Sequence, residues 1–132
     1  MCSFMAGGAE PIHSMSTESR DRLIDEYFSA MDGNDPSLAR SALSDAFVYE
    51  SRAGVLEGFT GLSDYITDIR SLTNTDHRVD RRIHGEDASA VEGVVAGDAS
   101  DGERVEAKFC DVVEFDADEE AITRIAVYVN DA

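Results

Sequence analysis

Three residues have side chains whose type and setting suit proton chemistry: Asp111, Glu50 and Tyr27. Asp111 lies in the stretch A-K-F-C-D-V-V-E-F-D, residues 107–116. Read as a strand, this stretch alternates its side chains between two faces. Phe109, Asp111, Val113 and Phe115 then share one face, and Lys108, Cys110, Val112 and Glu114 the other. An ionised, unpaired carboxylate on an apolar row is costly. It is tolerated by protonation, by a partner or by facing a cavity, and burial raises its pKa because desolvation disfavours the charged form. Two bland readings stay open: an ion pair with an arginine, or a register shifted by one residue. Glu50 shares a strand face with Val48, opposite Phe47 and Tyr49. The pattern does not say which face is inward, so Glu50 also reads as a solvated strand-end carboxylate. Tyr27 falls in the apolar stripe of a helix, where most tyrosines are core residues with a hydroxyl at the edge.

The other reactive residue types give less. His13 lies near the start, while His77 and His84 fall on one strand, seven apart and hence on opposite faces. No His, Cys or carboxylate cluster has metal-ligand spacing, and no cofactor is expected. Cys2 and Cys110 form neither a disulfide framework nor a metal signature. Arg52, Arg78, Arg81 and Arg82 can hold an anion, or can simply pair with the many surface acids. No Gly-rich phosphate loop, nucleophile elbow or dinucleotide fingerprint is present.

The elements that position these residues follow from periodicity. Ser16 or Thr17 can cap a first helix, with Leu23, Ile24, Tyr27, Phe28, Ala30 and Met31 at helical spacing. It should stop near D-G-N-D, residues 32–35, where Asp35 can cap a short second helix with Pro36 at its first position. A strand is expected at 47–51 and a brief one at V-L-E. Thr60 then caps a third helix with the stripe Leu62, Tyr65, Ile66, Ile69 and Leu72. Beyond it the period becomes two, with strands expected at 77–86, 89–98, 103–115 and 121–130, joined by short polar turns. Three helices followed by a meander predict an α+β domain: one strongly bent antiparallel sheet with helices on its concave side.

With 132 residues the chain suits one domain with one core. Residues 1–15 read as a flexible leader without signal-peptide character, and 16–132 as the domain. The formal charge is −17, from 28 acidic and 11 basic residues. That charge argues against nucleic acid and anionic membranes as partners. No apolar run is long enough to span a bilayer. Acid spread along the whole chain, with Lys108 the sole lysine, fits a salt-loaded cytoplasm, where screening relieves self-repulsion.

Several stretches resemble the nuclear transport factor 2-like superfamily, particularly its SnoaL-like and ketosteroid-isomerase-like members. They are Y-F-S-A-M-D-G-N-D (27–35), L-S-D-A-F-V-Y-E-S (43–51), L-E-G-F-T-G-L-S-D-Y (56–65) and D-V-V-E-F-D with I-T-R-I-A-V-Y (111–128). The resemblance spans roughly residues 17–130. It implies a cone-shaped half-barrel around a deep apolar pocket for a small molecule, in a homodimer. Matched to ketosteroid isomerase, the helix-one tyrosine falls on Tyr27, the general base on Glu50 and the proton-bearing aspartate of the oxyanion hole on Asp111. Glu50 is one methylene longer than the aspartate of that pattern. The implied chemistry is cofactor-independent isomerisation, cyclisation or dehydration of an apolar carbonyl compound, with a neutral carboxylic acid donating to the oxyanion. The alternative is a ligand-binding module of the same fold without catalysis.

Overall fold

The computed structural model describes residues 9–130, with side chains from residue 17. Helix α1 runs from Ala9 to Asp32. The expected start at Ser16 or Thr17 is therefore too late. Nothing between Ala9 and Ser16 breaks a helix, because Pro11 falls in the first turn, where its missing N–H removes no helical hydrogen bond. The expected leader thus falls partly in α1, and residues 1–8 lie outside the described region. The stripe of α1 is buried as its spacing predicts: Leu23, Ile24, Tyr27, Phe28, Ala30 and Met31 all face the core.

After α1 the chain turns through Gly33 and Asn34 into a 3₁₀ helix, Pro36–Ala42. Asp35 caps it, its Oδ1 accepting from the Ser37 amide at 3.2 Å and hydroxyl at 2.6 Å. Strand β1 (Leu43–Ser51) pairs with the short β2 (Gly54–Glu57). Helix α2 (Gly58–Asp64) begins two residues before the expected cap and widens into a π-helical turn, Tyr65–Ile69. The meander is β3 (Thr73–His84), β4 (Ala88–Asp98), β5 (Arg104–Phe115) and β6 (Ile122–Asn130). The six strands form one sheet in the order β2-β1-β6-β5-β4-β3, antiparallel except for the β1–β6 pair. Thus three helical segments pack inside a curved, unclosed sheet, as expected.

Two features set the inner face. In β1, Phe47 and Tyr49 are fully buried, which fixes that strand's inward row. In β3 the register against β4 slips between Val79 and Arg81, so that Asp80 is an extra residue. A bulge of this kind shifts the side-chain alternation by one. It places His77 and His84 on the same face, contrary to the count of seven. His84 then reaches Ser89 Oγ at 2.7 Å and Asp21 Oδ1 at 3.2 Å. Beside the bulge, Gly93 leaves no room for a side chain: a Cβ there would lie 2.0 Å from the Arg78 carbonyl oxygen and 3.1 Å from Phe109 Cε2. Gly93→Ala should therefore destabilise the protein by about 3 kcal/mol, read as a lowered thermal midpoint.

Arg20 of α1, only 4% exposed, ties the helix to two turns. It donates to the Gly85 and Glu86 carbonyls at 2.6 and 2.8 Å and pairs with Glu119 at 2.9 Å.

Candidate functional site

Between α1, the π-helical turn and the inner faces of β1, β3, β4, β5 and β6 lies a cavity of about 790 Å³. That is a volume suited to a small organic ligand. Its wall is mixed. Met31, Val95, Phe109 and Val127 supply apolar surface; Tyr27, Tyr49, Asp111, His77 and Arg70 supply polar groups.

One polar group forms around Asp111. Strand β5 sends Phe109, Asp111 and Val113 inward, as the alternation predicts, and Asp111 is 2% exposed. Its Oδ1 is buried without a hydrogen-bond partner. Burial pushes the carboxyl up to about 8, and a hydrogen bond from Tyr27 offsets this only in part. The group is thus mainly protonated at neutral pH. Tyr27, from α1, and Tyr49, from β1, bring their hydroxyls to 3.1 Å of each other. Burial, and then the proximity of other phenols and of Asp111, holds both hydroxyls well above the usual tyrosine range. Three proton-bearing groups therefore converge in an apolar setting, each a hydrogen-bond donor.

A second group is Asp32 with His77. Asp32 is the last residue of α1, and β3 crosses it. The His77 amide donates to Asp32 Oδ2 at 3.0 Å, and His77 Nδ1 lies 2.6 Å from Oδ1. Thr75 Oγ1 donates to the same carboxylate at 3.0 Å. Burial raises the Asp32 carboxyl, but the hydrogen bonds from His77 outweigh it and hold it below the ordinary aspartate range. Asp32, ionised, favours the tautomer in which Nδ1 carries the proton and donates to it, and in that tautomer Nε2 is the accepting nitrogen. The ring is wedged between Phe28 and Phe109, with centroids at 4.9 and 5.2 Å, and lines the cavity.

A family model of the SnoaL-like domain matches residues 24–125. The chain belongs to this SnoaL-like family. No curated protein matches it significantly. Its SnoaL-like fold recurs in solved structures. One is a Jannaschia protein described as a SnoaL-like polyketide cyclase: TM-score 0.73, 10% identity, 86% of each chain covered. Another is TerC co-crystallised with polyporic acid: TM-score 0.75, 12% identity, 85% of this chain and 92% of that one. A third is a protein with a ketosteroid isomerase-like fold from Catenulispora acidiphila, in complex with trimethylamine: TM-score 0.70, 15% identity, 80% of this chain and 83% of that one. At these identities the likeness is one of fold.

The SnoaL-like chain brings together two of the three residues singled out in the sequence. Tyr27 and Asp111 meet at the cavity; Glu50 does not join them. Because Phe47 and Tyr49 point inward, Glu50 must point outward. There it receives Arg124 Nε at 2.8 Å and Nη2 at 3.1 Å, while Arg124 Nη1 reaches Glu114 at 2.7 Å. The hydrogen bond from Arg124 holds the Glu50 carboxyl below its usual range. Glu50 is therefore a partly exposed, ion-paired carboxylate on the outer face, the bland alternative that its alternation left open. Tyr49, Asp32 and His77 were missed. Tyr49 was within reach of the same test, since a fixed inward Phe47 implies it. His77 shares the Val79 row, but its partner Asp32 lies 45 residues away at the end of α1, which strand alternation does not reveal.

Among the described residues no group of His, Cys, Asp or Glu could hold a metal ion, and no helix is long and apolar enough to cross a membrane.

Proposed function

We propose that this SnoaL-like domain is a cofactor-independent acid–base enzyme acting on a small apolar carbonyl compound, by isomerisation, cyclisation or dehydration. The observation that carries this reading is the meeting of the buried Asp111 carboxyl with the Tyr27–Tyr49 hydroxyls in a ligand-sized cavity. Asp111 and Tyr27 donate hydrogen bonds to the oxygen that gains charge, in a dry site where such donors act strongly. Glu50 is on the wrong side of the sheet to be the base. His77 replaces it: Asp32 fixes its tautomer and the aromatic wedge fixes its ring, so that Nε2 removes a proton beside the carbonyl. The ligands bound by two proteins of similar fold, polyporic acid and trimethylamine, agree with small-molecule binding. The test is exchange of the α-hydrogens of 2-tetralone, an apolar ketone, followed by NMR. Exchange no faster than in buffer would leave ligand binding alone as the function of the pocket.

A homodimer in a salt-rich cytoplasm is part of the same proposal. Tyr128, 60% exposed beside Cys110 on the outer sheet face, supports a contact there. Light scattering in molar potassium chloride should give twice the chain mass, and a monomer would remove this element.

A further inference from the structure

Arg70 follows the π-helical turn directly, its amide donating to the Tyr65 carbonyl at 2.9 Å. A turn with i→i+5 bonding re-aims the residues that leave it, and here Tyr65, Ile69 and Arg70 all line the cavity. Arg70 is only 9% exposed, in a chain of net charge −17. A buried arginine in so acidic a protein would be expected to take a carboxylate. This one takes neutral acceptors: Nη1 donates to Thr75 Oγ1 at 3.0 Å and to the Met31 carbonyl at 3.1 Å, and Nη2 to Asn34 Oδ1 at 3.2 Å. Asp32, close enough to be felt, is committed to His77 and Thr75. Burial lowers the readiness of the guanidinium to hold its charge, and its neighbours only partly restore it.

A guanidinium has five N–H donors. Three are used, which leaves two: Nε, buried without a partner, and the second proton of Nη2. Nε and Nη2 form the edge of the fork that matches a carboxylate with two parallel hydrogen bonds. Nε has no open surface in the folded chain, so a carboxylate meets Nη2 first and engages Nε after a small rotation of the group. The rim nearby carries a second cation, Arg52, with Ser51 and Ser71. The acidic rim residue Glu106 is exposed, and its charge acts on Arg78.

We propose that the ligand of this cavity is an apolar carbonyl compound that also bears a carboxylate, and that Arg70 is the residue that binds it. The inference rests on the acid–base reading above for the position of the carbonyl. The Asp111–Tyr27 pair holds one end of the molecule, Arg70 the other, and the apolar wall holds the body between them. A charge-assisted pair in so dry a setting favours the anion over its neutral parent.

The test compares 2-naphthol, an enolate mimic with no carboxylate, with 6-hydroxy-2-naphthoate, the same body with a carboxylate at the far end. With wild-type protein the naphthoate should bind roughly 10–100-fold more tightly, the value of a hydrogen-bonded charge. Arg70→Gln should erase that advantage and leave the affinity for 2-naphthol unchanged. Arg70→Lys, which keeps the charge and loses the fork, should retain only part of it and serves where the Gln variant does not fold. Equal wild-type affinities, or an advantage that survives both substitutions, would overturn the carboxylate assignment while 2-naphthol binding still upholds the acid–base site. If neither compound binds, both readings fall.

Discussion

Asp111→Asn should weaken the binding of 2-naphthol, and slow any proton exchange in the pocket, by roughly 10²–10³-fold, the usual loss for one oxyanion donor. The amide keeps the shape of the acid. It replaces a strong O–H donor with a weaker N–H, and 2-naphthol is held as its phenolate, the charge that the site is built to receive. Glu50→Gln is the control: its side chain pairs with Arg124 on the outer face, so ligand affinity should not change. The same Asp111 variant should gain stability over wild type as pH rises. The sign follows from the direction in which burial moves the carboxyl. The folded-state value, about 8, lies above that of an unfolded aspartate, about 4. Stability supplied by the protonated acid is full below about pH 4 and is lost as pH climbs to about 8. Asparagine carries no such loss. The stability difference between variant and wild type should therefore widen across that window by a few kcal/mol, at about 1.4 kcal/mol for each step of one in pH. Urea unfolding at pH 4, 6 and 8 measures it. A difference that stays flat with pH would mean that Asp111 is ionised in the folded protein, and the donor role would fail with it.

What the sequence made legible follows from where local pattern and tertiary structure agree. The stripe Leu23–Met31 and the strand row Phe109–Asp111–Val113 obey simple periods, and both are buried as the periods require. That was enough to place the sheet, its helices and two residues of the cavity wall, Tyr27 and Asp111, whose candidate roles came from the family resemblance. Glu50 shows the limit of alternation. It separates two faces without naming the inner one, and only the burial of Phe47 and Tyr49 decides it. His84 shows a different limit. One inserted residue, Asp80, reverses the alternation beyond it, and no propensity marks where a bulge will fall. The bulge is accommodated because Gly93, its opposite number, lets the Arg78 carbonyl approach. Arg20 and Arg70 were illegible for a related reason. Buried arginines look like surface ones until their acceptors, mostly backbone carbonyls and neutral side chains far along the chain, are known.

His77→Gln should reduce exchange of 2-tetralone by roughly 10²–10⁴-fold, the contribution of a positioned general base. Glutamine can still donate to Asp32 but has no basic nitrogen to offer the cavity. The affinity for 2-naphthol should change little, because its oxygen is bound by Asp111 and Tyr27. Asp32→Asn makes the sharper argument. It leaves the imidazole in place and removes the carboxylate that accepts the Nδ1 proton at 2.6 Å. Without it the ring is free to carry its proton on Nε2, the nitrogen that has to be the acceptor, and fewer molecules are competent at any moment. The expected signature is a fall in kcat, smaller than for His77→Gln, with KM and 2-naphthol affinity nearly unchanged. A purely structural Asp32–His77 pair predicts the reverse. Asp32 also receives Thr75 and the His77 amide, so loss of a merely structural clamp would loosen β3 against α1 and lower ligand affinity and thermal midpoint together. If kcat holds while those two fall, His77 is packing between Phe28 and Phe109, and the base must be sought elsewhere in the cavity.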